Sequence, residues 1–218
     1  MTANVITLAR IILAVIVIVI FQIGFYGIII ALILTMIVFY MDSLDGYLAR
    51  KLGVANDFGA LFDITGDRIV ENVYWIYFTT VGLVPIWVPI IIISRSFLVD
   101  TVRSVAYSKE GKTPFGEKSM MRSKFTLFLT ASRFMRALYG TSKVVVFILL
   151  GGVLILKNGS LNIGILYSDT VMKNYYLFTT IIVWLTVVLN LVRGLPVLWD
   201  GKYYLFSREY PRELKNAQ

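Results

Sequence analysis

The chain has no cysteine and no histidine among its 218 residues. Without cysteine there is no disulfide, no thiolate metal site and no cysteine nucleophile. Without histidine there is no Ser-His-Asp triad, no histidine general base and no His-ligated zinc. Charge is scarce as well. Asp, Glu, Lys and Arg make up 16% of the residues, against about 25% in an ordinary soluble domain. So little charge cannot cover a water-soluble globule. Chemistry in this chain must rest on carboxylates, Lys, Arg, Tyr, Ser or Thr.

Apolar residues are abundant instead, at 58%, and they come in long runs. One membrane span needs about 20 of them. The sequence therefore predicts an all-α integral membrane protein with six transmembrane helices, read as a single domain over residues 1–218. The expected spans are Val5–Gln22, Phe25–Leu48, Phe58–Val81, Pro85–Tyr107, Leu138–Leu156 and Tyr175–Leu198. The run from Val5 to Phe21 lacks a basic leader and a small-residue cleavage site, so it is read as a retained first span. The links at Ile23–Gly24 and Gly82–Val84 are short enough to make antiparallel neighbours.

Basic residues set the orientation. The links around residues 22–27 and 81–86 carry no Lys or Arg, and the link at 157–173 carries Lys157 and Lys173. The opposite side carries Arg50, Lys51, the stretch from Arg103 to Lys143, and Arg193, Lys202, Arg208, Arg212 and Lys215. The positive-inside rule then places both termini of a multi-pass protein of the cell (inner) membrane in the cytoplasm. Most of the net charge of +8 faces the anionic leaflet. No basic-aromatic interleaving points to nucleic acid; the partner is the lipid bilayer. Residues 109–136 hold seven basic residues against Glu110 and Glu117, with Phe115, Met120, Met121, Phe125, Leu127 and Phe128 between the charges. They are expected to form an amphipathic interfacial insertion, with a helix start at Thr113-Pro114. Residues 200–218 are expected to form a cytoplasmic tail.

The stretch MDSLDGYLARKLGVANDFGALFDITGDRI holds five aspartates beside an apolar span. Asp42 and Asp45 are spaced i, i+3 and share a helix face, which Gly46 and Ala49 extend; Arg50 follows two turns below Asp42. Gly59, Asp63 and Asp67 are spaced i, i+4, i+8 on the next helix, and Glu71 continues their stripe. Asp57 is read as the cap of that helix. Packed together, the two faces converge four carboxylates, with glycine and alanine letting the backbones approach or leaving room for a ligand. Like charges and burial raise one another's pKa, so such a cluster needs cations. Oxygen donors alone suit Mg²⁺, Mn²⁺ or Ca²⁺. Four carboxylates can hold two ions about 3.5–4 Å apart, the spacing of two-metal phosphoryl-transfer sites. Arg50 adds a natural phosphate ligand.

Written out, the stretch is Asp42-x2-Asp45-Gly46-x2-Ala49-Arg50-x8-Gly59-x3-Asp63-x3-Asp67. It resembles, without mismatch, the signature of the CDP-alcohol phosphotransferase family, whose six-span layout also matches. The resemblance implies transfer of a substituted phosphate from a CDP-linked alcohol, often CDP-diacylglycerol, to an acceptor hydroxyl, with release of CMP. It implies that Asp42, Asp45, Asp63 and Asp67 hold two Mg²⁺ or Mn²⁺ ions at the cytoplasmic side of the bundle. It implies that Asp67 is the general base, and that Gly46, Ala49, Arg50 and Gly59 form the nucleotide and diphosphate pocket. It also suggests a homodimer.

The opening NVITLAR supplies Asn4, Thr7 and Arg10. It is similar to the N-x-x-T-x-x-R start of the phosphatidylglycerophosphate synthase branch, which implies nucleotide contacts for Asn4 and Thr7. Asn4 and Arg10 can equally be read as interfacial anchors of the first span. Arg95, Arg103 and Lys143 lie where the glycerophosphate and inositol-phosphate branches bind the acceptor's phosphate, so glycerol 3-phosphate is the expected acceptor. Arg95 follows an apolar run and needs an anion or carboxylate partner. The glycerophosphate branch usually has an acid after the equivalent of Arg95, where this chain has Ser96; inositol 1-phosphate and serine therefore stay open. Outside enzymology, a divalent-cation transporter could also use acids on paired helices. It would have no need of Arg50 beside them, and would favour broken helices with acids at mid-membrane.

Overall fold

The computed structural model describes residues 2–51, 57–111, 119–158 and 169–206. At residues 2, 3, 43–51, 57, 58, 60, 110, 205 and 206 the backbone alone is described. Eight helices are found there: α1 Thr2–Ile20, α2 Phe25–Lys51, α3 Asp57–Thr80, α4 Trp87–Glu110, α5 Lys124–Ala131, α6 Arg133–Asn158, α7 Asp169–Asp200 and α8 Lys202–Phe206. Among the described residues there is no β-strand. Three regions qualify as membrane spans by length and apolar composition: Phe25–Asp42, and helices within Lys124–Asn158 and Asp169–Asp200. The apolar part of α1, Asn4–Ile20, is shorter. α3 and α4 carry the charged residues that Asp63, Asp67, Glu71, Arg95 and Arg103 represent.

The distribution of apolar and polar side chains is that of a membrane protein. Ile12, Val15, Ile16 and Val19 on α1, Ile29, Ile30 and Ile33 on α2, and Leu177, Phe178, Ile181, Trp184 and Leu185 on α7 are exposed. Thr7, Arg10, Thr35, Glu71 and Asn190 are buried. Apolar side chains outside and polar ones inside is the arrangement that lipid favours, because a charge facing hydrocarbon is costly.

The chain divides into two compact units. The first comprises residues 1–90 and 141–186, in which α1 packs on both α2 and α3. Phe147 of α6 is its aromatic centre, with ring centroids 4.9 Å from Tyr74, 5.0 Å from Trp75, 5.8 Å from Phe39 and 6.0 Å from Phe78. Tyr74 also donates to Thr35 at 3.0 Å, a buried hydrogen bond from α3 to α2. Gly151 lets α6 close on Leu32 and Phe21. α3 ends where Gly82 adopts φ +73°. Gly82 N–H donates to the Thr79 carbonyl and Leu83 N–H to the Phe78 carbonyl. This pair satisfies the last carbonyls of α3 and explains the tight turn into α4.

The second unit comprises residues 91–140 and 187–218. Its core gathers Val99, Val102, Ala106, Met120 and Val197. The buried carboxylate of Asp200, at the end of α7, accepts from Arg122 N–H at 3.0 Å and from the Thr126 hydroxyl at 2.7 Å. Ser123 caps α5 in a capping box with Thr126. Thus Asp200 ties the first turn of α5 to the end of α7. The Arg122 guanidinium lies 4.1 Å from the Tyr203 ring centre, and its hydrogen bond and charge hold the phenol below its usual pKa. The expected helix start at Thr113-Pro114 lies outside the described residues. Here α5 starts at Lys124, and α6 starts at Arg133, before the expected Leu138.

Candidate active site

α1, α2 and α3 meet at a cluster of ions. The Arg10 guanidinium pairs through Nη1 with Asp42, and through Nη2 with Asp67 at 2.8 Å and Asp63 at 3.4 Å. The helical spacing anticipated from the sequence explains the acidic half. Asp63 and Asp67 lie one turn apart on α3, and Asp42 arrives from the facing turn of α2. Gly66 explains the basic half. A Cβ there would come within 2.5 Å of Thr7 Cγ2 and 3.3 Å of Arg10 Nη2, so only glycine lets α1 approach α3 closely enough.

The cluster has a closed side and an open side. The Arg10 side chain is 2% exposed, whereas those of Asp42, Asp63 and Asp67 are 41–43% exposed. One oxygen from each carboxylate lies within 4.8 Å of the others. Within this group of four charged side chains the carboxylates outnumber the guanidinium three to one. Close hard-oxygen donors with a surplus of negative charge fit a divalent cation such as Mg²⁺ or Mn²⁺. Asp45, Gly46, Ala49 and Arg50 lie on the helical backbone of α2, but their side chains lie outside the described residues, as does that of Asp57. Gly59 is partly buried in the first turn of α3. Thr7 is buried one turn before Arg10, and Asn4 is partly buried.

The basic residues expected at an acceptor phosphate have different settings. In the first unit, Lys143 donates to Glu71 at 3.1 Å, and Arg68 lies 3.5 Å from the same carboxylate. Glu71 is 1% exposed. In the second unit, Arg103 lies 3.6 Å from Asp100. Arg95 is 7% exposed and passes so close to Gly194 of α7 that a Cβ would collide with its guanidinium. Reading by residue spacing missed the role of Arg10, since an arginine near a span end reads as an anchor. The available signal was an Arg one turn beyond Thr7 inside an apolar helix, opposite a small residue on the acidic helix.

These features define a membrane protein, all-helical among the described residues, whose buried arginine and half-exposed carboxylates form one charged cluster. The sequence model of the CDP-alcohol phosphatidyltransferase family matches residues 1–192, and the chain belongs to that family of transferases. Curated relatives agree over a shorter stretch. The CDP-diacylglycerol--glycerol-3-phosphate 3-phosphatidyltransferase of Bacillus subtilis (strain 168) is 39% identical over 64 residues, 29% of this chain and 33% of the relative. A probable phosphatidylglycerophosphate synthase of Mycobacterium tuberculosis (strain ATCC 25618 / H37Rv) is 36% identical over 73 residues, 34% of each chain. The CDP-diacylglycerol--glycerol-3-phosphate 3-phosphatidyltransferase of Mycoplasma genitalium is 36% identical over 69 residues, 32% of this chain and 29% of the relative. The matches thus span about a third of these relatives' lengths.

Proposed function

We propose that this protein transfers the phosphatidyl group of CDP-diacylglycerol to glycerol 3-phosphate, forming phosphatidylglycerol phosphate and CMP. The observation that carries the reading is the meeting of Asp42, Asp63 and Asp67 in one half-open cluster. All three lie within the residues that the family model matches, and they fall in the motif that resembles the family signature. Asp42, Asp45, Asp63 and Asp67 would hold two divalent cations, Mg²⁺ or Mn²⁺. When bound, the ions supply charge neutralisation at the diphosphate.

Asp67 accepts the proton of the acceptor hydroxyl, the role a carboxylate takes where no histidine exists. The acceptor oxygen bonds to the lipid-side phosphorus, the bond from that phosphorus to the bridging oxygen breaks, and CMP leaves with the electron pair. Gly46, Ala49, Arg50 and Gly59, with Asn4 and Thr7, serve the nucleotide and diphosphate. Arg95, Arg103 and Lys143 serve the acceptor's phosphate. The reading takes residues 1–218 as one domain with six spans, both termini and the site facing the cytoplasm from the inner membrane, and a homodimeric assembly.

The test is CMP release by the purified protein with Mg²⁺ or Mn²⁺, CDP-diacylglycerol and labelled glycerol 3-phosphate, inositol 1-phosphate or serine. Release with glycerol 3-phosphate alone is expected. Release with another acceptor reassigns the substrate. No release with any acceptor, together with Mn²⁺ flux into proteoliposomes, would replace the enzyme with a transporter.

A further inference from the structure

In the second unit, the end of α7 joins an apolar stripe to a pair of cations. Val188, Leu195 and Trp199 are spaced i, i+7, i+11 and share one face of the helix. They are 51%, 55% and 70% exposed. At about 1.5 Å per residue the stripe runs about 16 Å, close to the depth of one leaflet's hydrocarbon, about 15 Å. The apolar helix ends at Asp200, so the head of the stripe lies at the membrane surface. There the Lys202 ammonium lies 4.6 Å from the Trp199 ring centre and 5.8 Å from that of Tyr203. The Arg122 guanidinium lies 4.1 Å from the same Tyr203 ring centre. One phenol ring thus gathers two cations that would otherwise repel. Both side chains are exposed, and neither forms an ion pair among the described residues. The hydrogen bond from Arg122, then the charges of Arg122 and Lys202, hold the Tyr203 phenol below its usual pKa, so the local field is positive. The Arg122 backbone is fixed by its bond to Asp200, which sets the pair before any ligand arrives.

We infer that Arg122 and Lys202, gathered on Tyr203, hold the phosphate of an anionic phospholipid whose acyl chain lies along Trp199, Leu195 and Val188. A stripe of leaflet depth with a doubly positive head matches such a lipid in both shape and charge. A free phosphate would leave the stripe unused. A zwitterionic lipid brings its own cation to the head, which the pair repels. The clamp shares no residue with the Arg10 cluster.

The full chain, reconstituted in phosphatidylcholine bilayers, provides the test. Trp199 fluorescence, taken as the difference from Trp199→Phe, is quenched with brominated phosphatidylglycerol or brominated phosphatidylcholine. At physiological ionic strength we expect the anionic lipid to bind beside Trp199 about fivefold more tightly, or better, the scale of one basic residue at an anionic surface. Arg122→Gln combined with Lys202→Gln should bring the ratio close to one. Neither substitution removes the N–H of residue 122 that Asp200 accepts. Tyr203→Leu keeps both charges and removes the ring, and should lower the ratio about twofold, the scale of an exposed cation–π contact. A ratio near one in the unaltered protein overturns the inference, as does an unchanged ratio in the double variant. An unchanged ratio in Tyr203→Leu reduces the clamp to diffuse surface charge and overturns it as well. Loss of the preference with inorganic phosphate, but not with chloride at equal ionic strength, would make the ligand a free anion and end the lipid assignment. Should the double variant not fold, Tyr203→Leu decides alone.

Discussion

Glu71→Gln removes one negative charge from the interior of the first unit and almost no volume. Glu71 is 1% exposed and accepts from Lys143 at 3.1 Å. At that distance an effective dielectric of about 20 gives an attraction of about 5 kcal/mol. Desolvating the two ions offsets much of it, and breaking a buried pair from one side costs about 3–5 kcal/mol. Two features lower that figure. The glutamine oxygen still accepts from Lys143, and the Lys143 side chain, 15% exposed, can turn partly toward solvent. We therefore expect Glu71→Gln to cost about 2 kcal/mol. Lys143→Met should cost about the same, and the double variant about as much as either alone, a coupling of about 1.5–2 kcal/mol. Arg68, 3.5 Å from Glu71, is retained throughout and so cancels from the cycle. The assay is reversible SDS unfolding in mixed micelles, followed by tryptophan fluorescence. A coupling below about 0.5 kcal/mol, the scatter of independent sites, would refute the ion pair.

Asp67→Asn should lose turnover by more than about a hundredfold, the lower end of general-base contributions, and keep binding to CDP-diacylglycerol; near-normal CMP release would end its assignment as the base. Arg95→Ala should raise the acceptor KM well above any change in the donor KM, and equal changes would rule out a phosphate-binding role. Gly194→Ala places a Cβ against the Arg95 guanidinium, so it should cost about 1–3 kcal/mol as an overpacked contact, read in the same micelle unfolding.

The helical character and three long apolar spans were visible in the sequence, because lipid requires a span to be long and apolar. The helices that break this pattern do so for a physical reason. α3 must carry Asp63, Asp67 and Glu71, and α4 must carry Arg95 and Arg103. Length and apolar composition therefore mark three spans and not α3 or α4. The expected helix start at Thr113-Pro114 lies outside the described residues, and the α5 start was not foreseen. The described cap is Ser123, and it is reinforced by Asp200 from the far end of α7. No local pattern announces a partner 74 residues away.

The site divides along the same line. The shared face of Asp63 and Asp67 was legible because an i, i+4 spacing puts both on one side of a helix. Arg10 was not, because its partners lie on two later helices and its own neighbours in sequence are apolar. Near a span end, an arginine reads as a snorkelling anchor. Two observations remove that reading here: the side chain is 2% exposed, and Gly66 leaves it a passage between α1 and α3. An arginine drawn inward against its hydration must be held by something of opposite charge, and three carboxylates hold this one.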